Sequence, residues 1–226
     1  MQPWAVSIIL LEIVSWVSAV KASPNQESIE PPWVSVDNFN DKNLLHSVSD
    51  WLLDEASLTE RLINFYKEVF SVKPLNQSWT LPLESEIGLL ENSGNEKALI
   101  RKVILCLDKR PVVFARSIIP KVAIEGPLSH LQNLGDKSLG AILFDTPGIF
   151  RSSFEIALIS GDNPYLPQEF FQTNPVWGRR SCFSISSNKI IVSEIFLNTF
   201  EPWTQTEIKQ ASKEKNAPKN NQEIAN

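Results

Sequence analysis

Two charged residues stand where strand alternation would otherwise place only apolar side chains. In ALIRKVILCL, Arg101 shares a face with Val103, Leu105 and Leu107, because successive strand side chains point to opposite faces. In KIIVSEIFL, Glu194 shares its face with Ile190, Val192 and Phe196. A guanidinium in apolar company needs an anion. A lone carboxylate there needs a cationic partner or a ligand that donates to it. The structural reading pairs Arg101 and Glu194 with each other or with a neighbour; the functional reading turns them toward a ligand. Further arginines lie nearby in the chain. Arg179 and Arg180 are adjacent in WGRRS and must point to opposite faces of a strand, so at most one turns inward. Arg116 in FARS has a structural ion pair as its default role.

Other chemistries find less support. The two histidines, His46 and His130, have no second His, Cys or carboxylate at metal-ligand spacing, so no metal site is expected. No G-x-S-x-G turn supports a serine nucleophile. The G-x-G-x-x-G and Walker signatures are missing too, and no cofactor is expected. Cys106 and Cys182 sit in apolar or strand-like runs and read as reduced, buried thiols without a catalytic role. The chain has 226 residues, enough for one well-buried domain, and a formal charge of −5 without a long basic run. That charge excludes the electrostatic footprint of a nucleic-acid binder. An acidic protein that handles an anion must gather its arginines locally.

The elements that would position these residues are legible in outline. Residues 1–32 read as an apolar N-terminal extension followed by a polar linker. The run from Trp4 to Val20 is interrupted by Glu12, has no preceding Lys or Arg and is short for a bilayer span, so a packed extension and no stable membrane insertion are expected. Residues 33–203 form the expected domain, and 204–226, with almost nothing apolar, the expected disordered tail. Leu44, Leu45, Val48, Trp51 and Leu52 repeat at helical spacing, and Ser57 with Glu60 offers a capping box for a second helix. SVKPLNQSWTLPLESE reads as a loop or irregular strand. Apolar runs on either side of Asp108 to Pro111 read as a hairpin, and RRSCFSIS with KIIVSEIFL as another. Two short helices are expected between them, GPLSHLQNLG closed by Gly135 and KSLGAILFDTPGIF, followed by a strand in RSSFEIALIS. The fold class is α+β: a single antiparallel β-sheet with helices packed on one face.

Taken in order, WLLDEASLTERL, IRKVILCLDKRPVVFARSIIP, LGDKSLGAILF, FEIA, WGRRS and IIVSEIFL resemble the chorismate pyruvate-lyase family. The resemblance spans about Asp50 to Leu197. It implies conversion of chorismate to 4-hydroxybenzoate and pyruvate, in the cytoplasm, toward ubiquinone, with no cofactor. By that resemblance Arg101 holds the ring carboxylate and Glu194 meets the ring hydroxyl. Main-chain contacts to the substrate are implied at Leu58 and Leu139. Lys102 stands where relatives often carry Glu, and its side chain should face away. Arg116, Arg179 or Arg180 is left to hold the second carboxylate, without a choice among them. The implied partners are small molecules, with no nucleic acid, and a monomer is among the assemblies it allows. The regulatory ligand-binding domains of some transcription factors share the fold, so the alternative is a non-catalytic domain that binds a small aromatic acid.

Overall fold

The computed structural model describes residues 29–39, 44–65, 69–91, 96–126, 128–185, 188–201 and 203. The expected apolar extension and polar tail therefore lie outside the described residues. Among the described residues eight strands form one sheet: β1 (Val34–Ser35), β2 (Phe70–Thr80), β3 (Ala98–Leu107), β4 (Arg110–Pro120), β5 (Phe150–Arg151), β6 (Glu155–Ile159), β7 (Val176–Ile185) and β8 (Asn188–Phe196). Their order across the sheet is β1-β6-β7-β8-β4-β3-β2, with β5 also beside β7. All pairings are antiparallel. Five α-helices accompany them: α1 (His46–Leu52), α2 (Leu58–Phe65), α3 (Glu84–Leu90), α4 (Lys121–Ile124) and α5 (Leu139–Asp145).

Local chemistry explains where these elements begin and turn. The β3–β4 hairpin turns at Asp108 and Lys109, both with positive φ (46° and 68°), as the tight turns that match strand twist require. The Ser57 hydroxyl accepts from the Glu60 amide at 3.4 Å at the start of α2. Ser138 does the same for Ala141 at the start of α5. Gly135 closes the 3₁₀ turn Ser129–Asn133 at φ +54°, a conformation costly for residues with a Cβ.

Two segments take a more definite form than the sequence alone assigns. FSVKPLNQSWT forms the eleven-residue strand β2, which is the irregular strand of the two expected alternatives and not the loop. It lies at the end of the strand order, where Pro74 need not donate to a ladder, and its register shifts between Pro74 and Asn76. The residues after it, Glu84–Leu90, form the helix α3, where the expected loop or irregular strand ran on to Glu86.

Strand register sorts the side chains onto two faces. Helices α1, α2 and α5 and the Ser129–Asn133 turn cover the face that carries Arg101, as the single-sheet architecture requires. The buried side chains there fall into two clusters. One sets Trp51, Leu52, Leu58 and Leu62 over Val103, Ala115 and Phe196. The other sets Leu131, Leu139 and Leu143 over Leu99, Ile119 and Val192. The opposite face packs Ile104, Phe114 and Ile195 against Tyr165, Leu166 and Trp33, with α3 as an added short helix. Among the described residues no helix is long and apolar enough to cross a membrane.

Candidate functional site

A polar strip crosses the sheet between the two apolar clusters of the helix-covered face. Arg101 registers with Ser117, Ser117 with Val192 and Val192 with Ser181. Two residues along the strands, Val103, Ala115, Glu194 and Arg179 form the next row. Arg101 and Glu194 thus share a face, as alternation requires, but β4 separates their strands. Two strand spacings and one two-residue step put their Cα atoms on the order of 12 Å apart. They do not pair with each other.

Arg101 is 3% exposed, and burial lowers its pKa. Its Nη2 donates to the carbonyls of Gly135 and Lys137, both at 2.9 Å, which ties β3 to the loop that enters α5. Among the described residues it has no carboxylate partner, and its Nε and Nη1 make no hydrogen bond. Its outer flank borders a groove of about 510 Å³ lined also by Leu75, Gln77, Gln132 and Asn133.

Glu194 takes the neighbour that the register provides. Its Oε2 accepts from Arg179 Nε at 2.7 Å. Arg179, 1% exposed, also donates from Nη1 to the carbonyls of Trp51, Leu52 and Asp54 at 3.1, 3.3 and 2.8 Å. The last carbonyls of a helix have no intrahelical donor, so this arginine closes the end of α1.

Leu58 and Leu139 are the first residues of α2 and α5, where backbone N–H groups have no intrahelical acceptor. The two helix starts meet: the Thr59 and Ser138 hydroxyls lie 2.7 Å apart in a hydrogen bond. Both leucine side chains are buried, in different clusters, so the junction of α2 and α5 sits over the seam between them.

Of the three further arginines, two are on the wrong face. Arg116 registers with Lys102 and Ser193 and makes a two-pronged ion pair with Glu86 of α3, at 2.7 and 2.9 Å. Its default structural role holds. Arg180 pairs with Glu155 at 2.7 Å and donates to Ser85 Oγ at 2.8 Å. Strand parity alone forces this: Arg116 and Arg180 differ by an odd number of registered positions from Arg101 and Glu194. Lys102 faces away with them.

The sequence reading missed Arg151, at the end of β5. Its Nε donates to Ser181 Oγ at 2.8 Å and its Nη1 to the Glu55 carbonyl at 3.0 Å. The guanidinium sits 4.1 Å from the Phe154 ring centroid and 5.3 Å from those of Phe144 and Phe183. Burial pushes its pKa down to about 10, against a counteracting pull from Glu194. The run IFRSSF carried the signal, an arginine between aromatic residues.

No group of three or more His, Cys, Asp or Glu among the described residues is placed to hold a metal ion. Cys106 and Cys182 are free and buried, and burial raises both thiols. What the strip can do is bind and orient anionic and hydroxylic groups between apolar walls.

The chorismate lyase family model matches residues 31–208. A probable chorismate pyruvate-lyase of Pseudomonas aeruginosa is 34% identical over 176 residues, covering 78% of this chain and 95% of that protein. A probable chorismate pyruvate-lyase of Idiomarina loihiensis is 38% identical over 152 residues, covering 66% and 77%. Among solved structures, the effector domain of PhnF from Mycobacterium smegmatis aligns at a TM-score of 0.47 with 15% identity, covering 65% of this chain and 91% of that one. With a family match over most of its length and a 34% identical relative covered to 95%, this chain belongs to the chorismate lyase family.

Proposed function

We propose that this chain converts chorismate to 4-hydroxybenzoate and pyruvate in the cytoplasm, supplying the aromatic precursor of ubiquinone. The observation that carries the reading is the family match, taken with a polar strip that carries an arginine and a glutamate on one sheet face between two apolar walls. Chorismate bears a ring carboxylate, a ring hydroxyl and, beside the hydroxyl, an enolpyruvyl ether. Cleavage of the ether carbon–oxygen bond and loss of the hydrogen on the hydroxyl-bearing carbon give an aromatic ring. The enolpyruvyl fragment leaves as pyruvate, with that hydrogen on its methyl carbon, delivered either directly or by way of a base. Atoms balance and aromatisation drives the step, so the protein's task is orientation and charge complementarity in a dry site.

In this reading Arg101 clamps the ring carboxylate with the nitrogens it does not spend on Gly135 and Lys137. Glu194 accepts from the ring hydroxyl and stabilises charge as the adjacent hydrogen departs. The backbone at Leu58 and Leu139 contacts the substrate from the two helix starts. The test is to follow 4-hydroxybenzoate and pyruvate together from chorismate, with no added metal or cofactor. Equal amounts of both are expected. Arg101→Ala should lower kcat/KM on the order of tenfold to a few hundredfold, since a charged hydrogen bond contributes about 1.5–3 kcal/mol. A folded protein that binds 4-hydroxybenzoate and forms no pyruvate would leave a binding domain instead.

The α2–α5 junction bears on product release. Thr59→Val keeps the side-chain volume and removes the hydroxyl that meets Ser138. With about 1 kcal/mol for one neutral hydrogen bond, 4-hydroxybenzoate should dissociate roughly fivefold faster in stopped flow. An unchanged rate would mean that these helices do not part when product leaves.

A further inference from the structure

The helix-covered face holds more positive charge than it neutralises. Arg179 is matched by Glu194. Arg101 and Arg151 have no carboxylate within ion-pair distance among the described residues. The acids that act on Arg151 are otherwise engaged: Glu194, whose pull is the largest of the three, pairs with Arg179 and Asp54 with Arg61, both at 2.7 Å, and Glu55 is exposed and offers only its carbonyl. Even with its pKa lowered, Arg151 is charged at neutral pH. Two unneutralised guanidiniums on one face fit a ligand with two negative charges.

Their placement fits one kind of dianion. Arg151 stands over Ser181, one strand spacing and one two-residue step from Glu194, on the order of 8 Å between the Cα positions of Ser181 and Glu194. Arg101 lies farther from Glu194, across β4. A molecule whose hydroxyl meets Glu194 therefore needs one carboxylate across the ring from that hydroxyl and another on a short arm beside it. We propose that Arg151 binds the carboxylate of the enolpyruvyl arm, and that this contact makes the site select ring dianions over ring monoanions. Nη2 of Arg151 makes no hydrogen bond among the described residues and is the nitrogen left to do so. The Phe144, Phe154 and Phe183 rings lie within 5.3 Å of the guanidinium and partly shield it from water. This assignment rests on the lyase reading for the identity of the dianion.

The experiment separates the two. Calorimetry on the wild-type protein compares 3-(carboxymethoxy)-4-hydroxybenzoate with 3-ethoxy-4-hydroxybenzoate, ethers of similar size that differ in one carboxylate. The dianion should bind at least about tenfold tighter, the value of a charge-assisted hydrogen bond. Arg151→Gln should reduce that preference to about twofold or less and raise the KM for chorismate about ten- to hundredfold. The Kd for 4-hydroxybenzoate, which lacks the arm, should move less than about threefold on the same scale. Arg151→Lys should restore part of the preference. Equal binding of the two ethers by wild type overturns the proposal without need of a variant. So does an Arg151→Gln protein that weakens 4-hydroxybenzoate as much as chorismate, which would mark Arg151 as a structural pin for β5. Absence of pyruvate from wild-type protein would sink the lyase reading, while the dianion preference would still stand or fall on the two ethers.

Discussion

Glu194→Gln is expected to lower kcat by roughly two to three orders of magnitude while the KM for chorismate moves much less. Removing one preorganised group that meets developing charge costs about that much in other enzymes. The substitution keeps the shape of the side chain and its place opposite Arg179, so the binding groups at Arg101 remain. The charge is removed, and one acceptor oxygen becomes an NH2 donor. With the amide oxygen kept toward the Arg179 donor, the amide nitrogen can still donate to the ground-state hydroxyl oxygen and hold the substrate, whereas the departing hydrogen leaves charge that only the carboxylate complements. That split between kcat and KM separates chemistry from architecture. If Glu194 served only to neutralise Arg179, the variant would melt earlier and turn over chorismate within about threefold of wild type at a temperature where both are folded. Steady-state kinetics at low temperature, beside a thermal melt, decides it.

The second large effect belongs to the other face and to stability. Glu86 is fully buried, and each of its oxygens accepts from Arg116, while Oε2 also accepts from the Leu83 amide at 2.8 Å and so fastens the start of α3. Glu86→Ala strands a buried guanidinium. Removing one partner of a buried ion pair costs about 3–5 kcal/mol. For a chain of this size each kcal/mol moves Tm by about 2–4 °C, so a fall on the order of 10 °C is expected by calorimetry. Arg116 lies one residue from the Glu194 row but points through the sheet. Turnover per folded molecule should therefore change far less than in Glu194→Gln. The double variant Glu86→Leu, Arg116→Met removes both charges at similar volume and should recover most of the lost stability. A double variant no more stable than Glu86→Ala would show that the loss comes from the Leu83 cap and packing, not from the stranded charge.

What the sequence disclosed follows from what strand alternation can and cannot encode. Period two assigned Arg101 and Glu194 to apolar faces and sent Arg179 and Arg180 to opposite sides, and the register agrees. It says nothing of which strands are neighbours. That β8 lies between β7 and β4 is a long-range fact, and it decides that Glu194 meets Arg179 and not Arg101. The same gap left Arg116, Arg179 and Arg180 as equal candidates for a second carboxylate, although only one of them shares the face of Arg101. Pro74 left β2 open between a loop and an irregular strand, because a proline argues against a strand unless the strand is known to lie at an edge. Arg151 escaped notice because its short strand breaks at Ser152 and Ser153, too soon for a periodic pattern.

Arg179 carries a consequence of its own. One guanidinium holds Glu194 by Nε and the end of α1 by Nη1, and α1 leads within a few residues to α2, whose Thr59 grips α5. Arrival of a hydroxyl at the carboxylate and the fastening of the helices above it are then readings of one balance. If Glu194 meets the substrate hydroxyl as proposed, a ligand that seats correctly also shifts the pull on Arg179, and the hold on the end of α1 changes with it. A molecule that fills the space without that hydroxyl would be held under a roof that has received no such signal, and would leave sooner than its size suggests.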